Sequence, residues 1–225
     1  MNKRKLVPLS IVGLLAAGLL MAVANRAGPR ERVAFHADFE SGNLNAWQFP
    51  FPEDWALLSE DGNHYLHMKR NREPGVPRRP LQFGLLKEVK VGSFEFETRL
   101  RREGKSMIVV FDYVDTLHFY YAHFSADRGS ADPVHNGIFI VDGEARRRIA
   151  GTEAPPALAD RAWHRARVVR EIRSGSIQVF MDGRSQPLFS VVNSAFKCGQ
   201  VGVGSFDETG DFDDVVLESD DPCER

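Results

Sequence analysis

The chain is poor in the residues that mark a metal or redox centre. Its 225 residues hold two cysteines, Cys198 and Cys223, too far apart for a zinc knuckle, and no histidine pair stands at ligand spacing on a helix. A surplus of positive charge is missing as well: 29 Lys and Arg face 31 Asp and Glu, a formal net charge of −2. Without the first 24 residues, which carry Lys3, Arg4 and Lys5 and no acid, the balance is 26 to 31, or −5. Nucleic-acid binding rests on neutralising phosphates, so that class is excluded. No amphipathic stretch of helical length with caps occurs, and no repeat at solenoid or propeller period. What is present is ordinary globular material, 43% apolar and 27% charged, enough for one sizeable core.

The N-terminus reads as an export segment. Residues 1–5 are basic, residues 6–21 are apolar and rich in Leu, Ala and Gly, and Ala22-Val23-Ala24 fits the small-x-small cleavage rule. No cysteine follows the run, which closes the lipid-anchor route. The run is long, and Arg26, Arg30 and Arg32 follow it, so an uncleaved single-span anchor stays open beside cleavage. Either way the folded part is expected outside the cytoplasm, secreted, periplasmic or at the cell surface. The organisation expected is 1–24 signal or anchor, 25–32 linker, 33–219 one domain and 220–225 tail. Contact with a membrane is expected only through the N-terminal segment.

Short alternating runs separated by turn residues dominate the rest. Residues 55–59 and 64–69 form a hairpin over Glu60-Asp61-Gly62-Asn63. Residues 92–102 alternate cleanly, with Phe94, Phe96, Thr98 and Leu100 inward and Glu95, Glu97, Arg99 and Arg101 outward. Residues 69–80, KRNREPGVPRRP, are too rich in Pro, Gly and charge for regular structure, and read as a solvated loop or a basic lip. After a turn at Asp142-Gly143 comes a basic cluster, Arg146 to Arg148, and 151–160 is a surface connection. Another hairpin joins 163–171 to 176–181, with Asp182-Gly183 turning after it. Residues 200–206 and 211–218 pair about Asp207-Glu208-Thr209-Gly210, which brings Cys198 to Cys223 and predicts a disulfide, consistent with an oxidising compartment. About a dozen strands with frequent turns mean an all-β antiparallel sandwich or barrel without an internal linker.

Residues 105–141 hold three of the seven histidines and three of the four tyrosines. Alternation from 117 to 124 puts Leu117, Phe119, Tyr121 and His123 on one face, expected to be the core, and His118, Tyr120, Ala122 and Phe124 on the other. The second face then presents imidazole and phenol beside a loop, 125–136, rich in Asp, Gly and Ser. Rigid strands with a flanking loop are how a sheet builds a polar ligand surface. His118, Tyr120, His135, Asn136 and Arg148 are the residues expected to line it.

In order along the chain, FHADFESGNLNAW, GSFEFETRLR, AWHRARVVR with GSIQVFMDG, and GQVGVGSFDETGDFDDVVLES resemble the concanavalin A-like lectin/glucanase superfamily. Within it the chain is similar to the laminin-G-like and 3-keto-disaccharide hydrolase-like jelly rolls. The resemblance spans roughly 33–219 and implies two curved antiparallel sheets, a sandwich whose concave face commonly holds sugar. It also implies a structural Ca²⁺ joining the first and last strands, with Asp38 and Asp213 at the matching positions and hard oxygen donors suited to it. The ligand implied is a polysaccharide or oligosaccharide, including anionic ones. Glucanases of this fold carry Glu-x-Asp-x-x-Glu on one strand, and that spacing is absent here. Glu95 and Glu97 share a face at about 7 Å, but alternate with Arg99 and Arg101 and read as a salt-laced solvent face rather than a hydrolytic pair. A carbohydrate-binding domain is therefore expected. A lyase or 3-keto-glycoside hydrolase working through His, Tyr and Arg is the alternative, and an adhesive module without a glycan ligand is the third.

Overall fold

The computed structural model describes residues 32–128, 135–151 and 156–223; the expected export segment lies outside them. Fifteen strands occur in this region: β1 (Val33–Ala37), β2 (Trp47–Gln48), β3 (Trp55–Glu60), β4 (Asn63–Met68), β5 (Gln82–Leu86), β6 (Phe94–Arg102), β7 (Ser106–Asp115), β8 (His118–Ser125), β9 (Gly137–Asp142), β10 (Arg147–Gly151), β11 (His164–Glu171), β12 (Ser176–Met181), β13 (Phe189–Val192), β14 (Gln200–Ser205) and β15 (Gly210–Ser219). They form two antiparallel sheets. One runs β13-β12-β11-β6-β15-β4-β3 with β1 also on β15, and the other runs β10-β9-β8-β7-β14-β5-β2. The molecule is the all-β antiparallel sandwich that the alternating runs predict.

The first hairpin turns through Asp61 and Gly62 at φ of 53° and 84°, the left-handed conformation that Asp-Gly tolerates. β6 buries Phe94, Phe96, Thr98 and Leu100 as its pattern requires. Its outward acids are met by neighbouring arginines: Arg167 reaches Glu95 at 3.1 Å and Arg165 pairs with Glu97. The carboxyls on that face are thus held in ion pairs.

One expectation about strand pairing is corrected. The terminal pair 200–206 and 211–218 is not a hairpin: β14 lies between β7 and β5, while β15 lies in the other sheet beside β6, β4 and β1. The chain crosses from one layer to the other at the turn, and Cys198 and Cys223 still form their disulfide, with Cα atoms 6.0 Å apart. Residues 147–151, which begin in the basic cluster, form an edge strand, because their backbone completes the β9 ladder. QFGLL, residues 82–86, has no alternation and is β5. All five of its residues are buried, and a strand covered on both faces shows no period of two.

The covered faces also reverse the reading of β8. Tyr120, Ala122 and Phe124 belong to the core between the sheets, with Met107, Val109 and Phe111 of β7 and Phe96, Leu100 and Phe212 opposite. Phe119 and Tyr121 lie on the outer face of the seven-stranded sheet, in a second apolar cluster with Phe83, Leu85, Ile108, Val110, Tyr113, Phe139, Val141 and Phe206. Both faces are apolar, so hydrophobicity alone could not say which one points inward.

Residues 69–80 are not free in solvent. Arg72 pairs with Asp54 and with Glu53 and lies 3.9 Å over the Phe51 ring. Further on, Arg79 Nε donates to Thr116 O at 2.7 Å, and Arg78 stacks over Phe206 at 4.8 Å while its carbonyl accepts from Arg146 N at 2.8 Å. The segment is a strap pinned at these points, with Arg78 laid over the outer cluster.

Candidate binding site on the outer face of the seven-stranded sheet

At one end of this sheet the outer cluster becomes polar. β8 contributes Tyr121 and His123, β9 contributes Phe139, and Phe206 follows β14. The rings are close: Tyr121 stacks on Phe139 at 5.1 Å, and His123 lies 5.7 Å from Phe139, 6.1 Å from Phe206 and 5.2 Å from His135. Arg146, on the turn before β10, reaches over them. Its guanidinium is 4.9 Å from the Phe139 ring centroid, and its Nη1 donates to Tyr121 Oη at 3.0 Å and lies 3.4 Å from His123 Nδ1. Arg148 lies on the outward side of β10, since it stands opposite Phe139 in the ladder. Its side chain occupies the room left by two glycines: a Cβ on Gly151 would sit 2.1 Å from its Nη2, and one on Gly137 would sit 2.9 Å from its Nε.

Electrostatics follow from this burial. His123 is 1% exposed, and desolvation, with the nearby Arg146 and His135, holds its pKa well below the ordinary 6.5. Burial also raises the Tyr121 phenol above its ordinary 10, against the opposing pull of Arg146. His123 is therefore a neutral imidazole and Tyr121 a neutral phenol at physiological pH. His135 Nδ1 lies 2.5 Å from Asp127 Oδ2, and that pairing occupies the acid beside the cluster.

Of the expected ligand residues, the structure brings His135 and Arg148 to this place and sends the others elsewhere. Asn136 is a brace: its Oδ1 accepts from Ser125 N at 2.8 Å and Ala157 N at 3.3 Å, and its Nδ2 donates to the Asp127 carbonyl at 3.0 Å. Tyr120, expected to face an open trough, is 0% exposed between the layers; its hydroxyl donates to Asn193 Oδ1 and accepts from Ala195 N and Phe196 N. His118, with its side chain 39% exposed, lies near Asp115 at 2.9 Å and against Phe196. It is five residues along β8 from His123, about 16 Å, so it belongs to the far end of the strand. Tyr121, His123, Phe139, Arg146 and Phe206 are not expected from the sequence as a group: Tyr121 and His123 lie on the other parity of β8, while Phe139, Arg146 and Phe206 come from β9, the turn before β10 and the residue after β14.

The expected calcium ligands are engaged otherwise. Asp213 accepts from Asn63 Nδ2 at 3.0 Å and faces Arg99 Nη1 at 3.4 Å, while Asp38 Oδ1 caps Glu40 N at 3.1 Å. Among the described residues no group of three or more His, Cys, Asp or Glu converges as a metal shell. A guanidinium beside Asp213 already supplies the positive charge there, so these donors do not fit a calcium ion as they are placed. At the other end of the sandwich a cleft of 810 Å³ is lined by Arg32, Glu171, Arg173, Lys197, Glu218 and Asp221 among others. Its charges are mixed, with Arg32 bonded to Glu218 at 3.0 Å.

No protein-family model matches the sequence, and no curated protein matches it. Solved structures do match the fold. The carbohydrate binding module CBM66 from Bacillus subtilis superposes with a TM-score of 0.56 at 18% identity, covering 79% of this chain and 98% of that one. Peanut lectin, solved with a nine-residue peptide, superposes at 0.55 with 12% identity over 87% of this chain and 100% of the lectin. A GH43 protein, BlXynB, from Bacillus licheniformis reaches 0.60 at 14% identity over 82% of this chain but 39% of its own. The fold is thus the two-sheet antiparallel sandwich that these structures share. At these identities the likeness speaks for fold alone.

Proposed function

We propose that this is an exported carbohydrate-binding domain that holds an acidic glycan on the outer face of its seven-stranded sheet, at the end formed by Tyr121, His123, His135, Phe139, Arg146 and Arg148. The observation that carries the reading is the stacking of arginine and imidazole on a rigid aromatic floor. Arg146, Arg148 and His135 are half-buried there and meet the ligand first, while Tyr121, Phe139 and Phe206 hold them in place from below. Sugars offer hydroxyls for such polar groups, and arginine matches the planar carboxylate of an acidic sugar.

Two further considerations favour it. Similar solved structures include a carbohydrate binding module and a lectin. Among the described residues the carboxyls are otherwise engaged: Asp127 is paired with His135, and Glu95 and Glu97 are ion-paired on the other sheet. The disulfide suits an oxidising compartment, in keeping with export by the apolar segment 6–21. A glycan array read alongside product analysis on the same samples tests the proposal. Retention of acidic glycans without products is expected. Turnover would replace binding by catalysis, and an array without any retained glycan would leave an adhesive module.

A further inference from the structure

Arg146 Nη1 and His123 Nδ1 face one another at 3.4 Å. A guanidinium has only donors, so the imidazole nitrogen facing it accepts and the ring hydrogen of the neutral His123 resides on Nε2. That Nε2 is buried and finds no acceptor among the described residues. A second buried donor in the same condition is Arg148 Nε. The two are neighbours across the ladder. His123 stands opposite Gly137, and Arg148 Nε fills the space that a Gly137 side chain would take. The nearby carboxylate, Asp127, is engaged by His135, and Tyr121 Oη receives its hydrogen bond from Arg146. Buried donors left unmatched are unfavourable, and two of them belong to side chains that flank the same glycine, Gly137.

We infer that His123 Nε2–H and Arg148 Nε–H form an oxyanion subsite that takes the carboxylate of a uronic acid or the sulfate ester of a sulfated sugar. The inference rests on the glycan reading above and names the chemical group that reading leaves open. The ligand atom must be a pure acceptor, because both protein groups are donors. The same tautomer removes His123 as a base for β-elimination: Nδ1 is closed by the guanidinium, and Nε2 already carries its proton. The subsite recognises an acidic sugar without abstracting a proton from it.

The test uses the full chain, with polygalacturonate, dextran sulfate and neutral dextran as calorimetric probes, and long-range proton–nitrogen correlation spectra to read the His123 tautomer. The Nε2–H tautomer is expected, with at least one acidic polymer bound about tenfold or more tightly than dextran, the scale of one charge-assisted hydrogen bond. The two acidic polymers separate carboxylate from sulfate. His123→Gln, whose amide nitrogen can occupy the Nε2 position, should keep most of that preference. His123→Leu and Arg148→Met should abolish it, and Arg147→Ala, opposite inward-facing Ile140, should leave it intact. If His123→Leu does not fold, Arg148→Met, at the half-buried rim, carries the comparison. An Nδ1–H tautomer, equal binding of acidic and neutral polymers, or an equal loss in Arg147→Ala overturns the subsite while leaving the glycan reading in place. Failure to bind any glycan overturns the glycan reading itself.

Discussion

The Arg146 guanidinium stands 3.8 Å from the ring centroid of Phe206. Arg78 approaches the same ring at 4.8 Å, so one phenyl group joins the strap to the turn before β10. Such stacking contributes about 0.5–2 kcal/mol, and the Arg146 bond to Tyr121 about 1 kcal/mol more. Arg146→Lys keeps the charge but loses the flat fork that makes both contacts. It should lower stability by about 1–2 kcal/mol, read from the urea midpoint at unchanged slope, and weaken glycan retention with it.

Tyr120 offers a test of the reversed face. Its hydroxyl serves Asn193 and the amides of Ala195 and Phe196 inside the sandwich. Tyr120→Phe should cost about 1–3 kcal/mol by leaving those buried groups unmatched. Glycan retention should not change, because the phenol never reaches the ligand. A retention loss with normal stability would restore the opposite orientation of β8.

His123 gives a pH signature. Its folded pKa is held below 6.5 by burial first and then by Arg146 and His135. The unfolded chain therefore takes up a proton that the native state refuses, and stability present above pH 6.5 falls as the pH drops below it. Melting temperatures measured from pH 7.5 to 5 should decline more steeply for the wild type than for His123→Gln. Parallel curves would mean that the imidazole is not desolvated.

Asp112 and Arg170 form an ion pair at 2.9 Å with both side chains fully buried. Breaking it from one side strands a charge, so Asp112→Asn should cost about 3–5 kcal/mol. Asp112→Asn combined with Arg170→Met should cost less than the two changes added, and a double-mutant cycle measures the difference. Additive losses would show that the two groups do not act as a pair.

The Cys198–Cys223 bridge closes a loop of 25 residues. Chain entropy assigns such a loop about 3 kcal/mol. Replacing both cysteines by serine should lower the melting temperature by roughly 6–12 °C for a domain of this size. An unchanged melting temperature would show that the tail's backbone contacts alone hold it.

Wherever one face of a strand met solvent, the sequence was readable. Phe94, Phe96 and Leu100 alternate with charged residues in β6, and Asp61-Gly62 marks the turn between β3 and β4, because period and turn chemistry are local properties. β5, β7 and β8 were harder. In β7 the run Met107 to Phe111 is apolar at every position, so parity carries no information about which side is the interior. The site followed the same division: Arg148 and His135 were visible as polar residues near a strand end, while Tyr121 and His123 were assigned to the core.

The alternation of β6, the Asp61-Gly62 turn and the all-β class were determined by residue pattern alone, since each depends on neighbours in the chain. Which face of β8 turns inward, that β14 and β15 part into different sheets, and that Arg146, Arg148 and His123 share one corner were decided only by tertiary structure. Those facts depend on what packs over a strand from elsewhere in the chain, and the strap at 69–80 covers a face that the strand's own sequence cannot tell from the core.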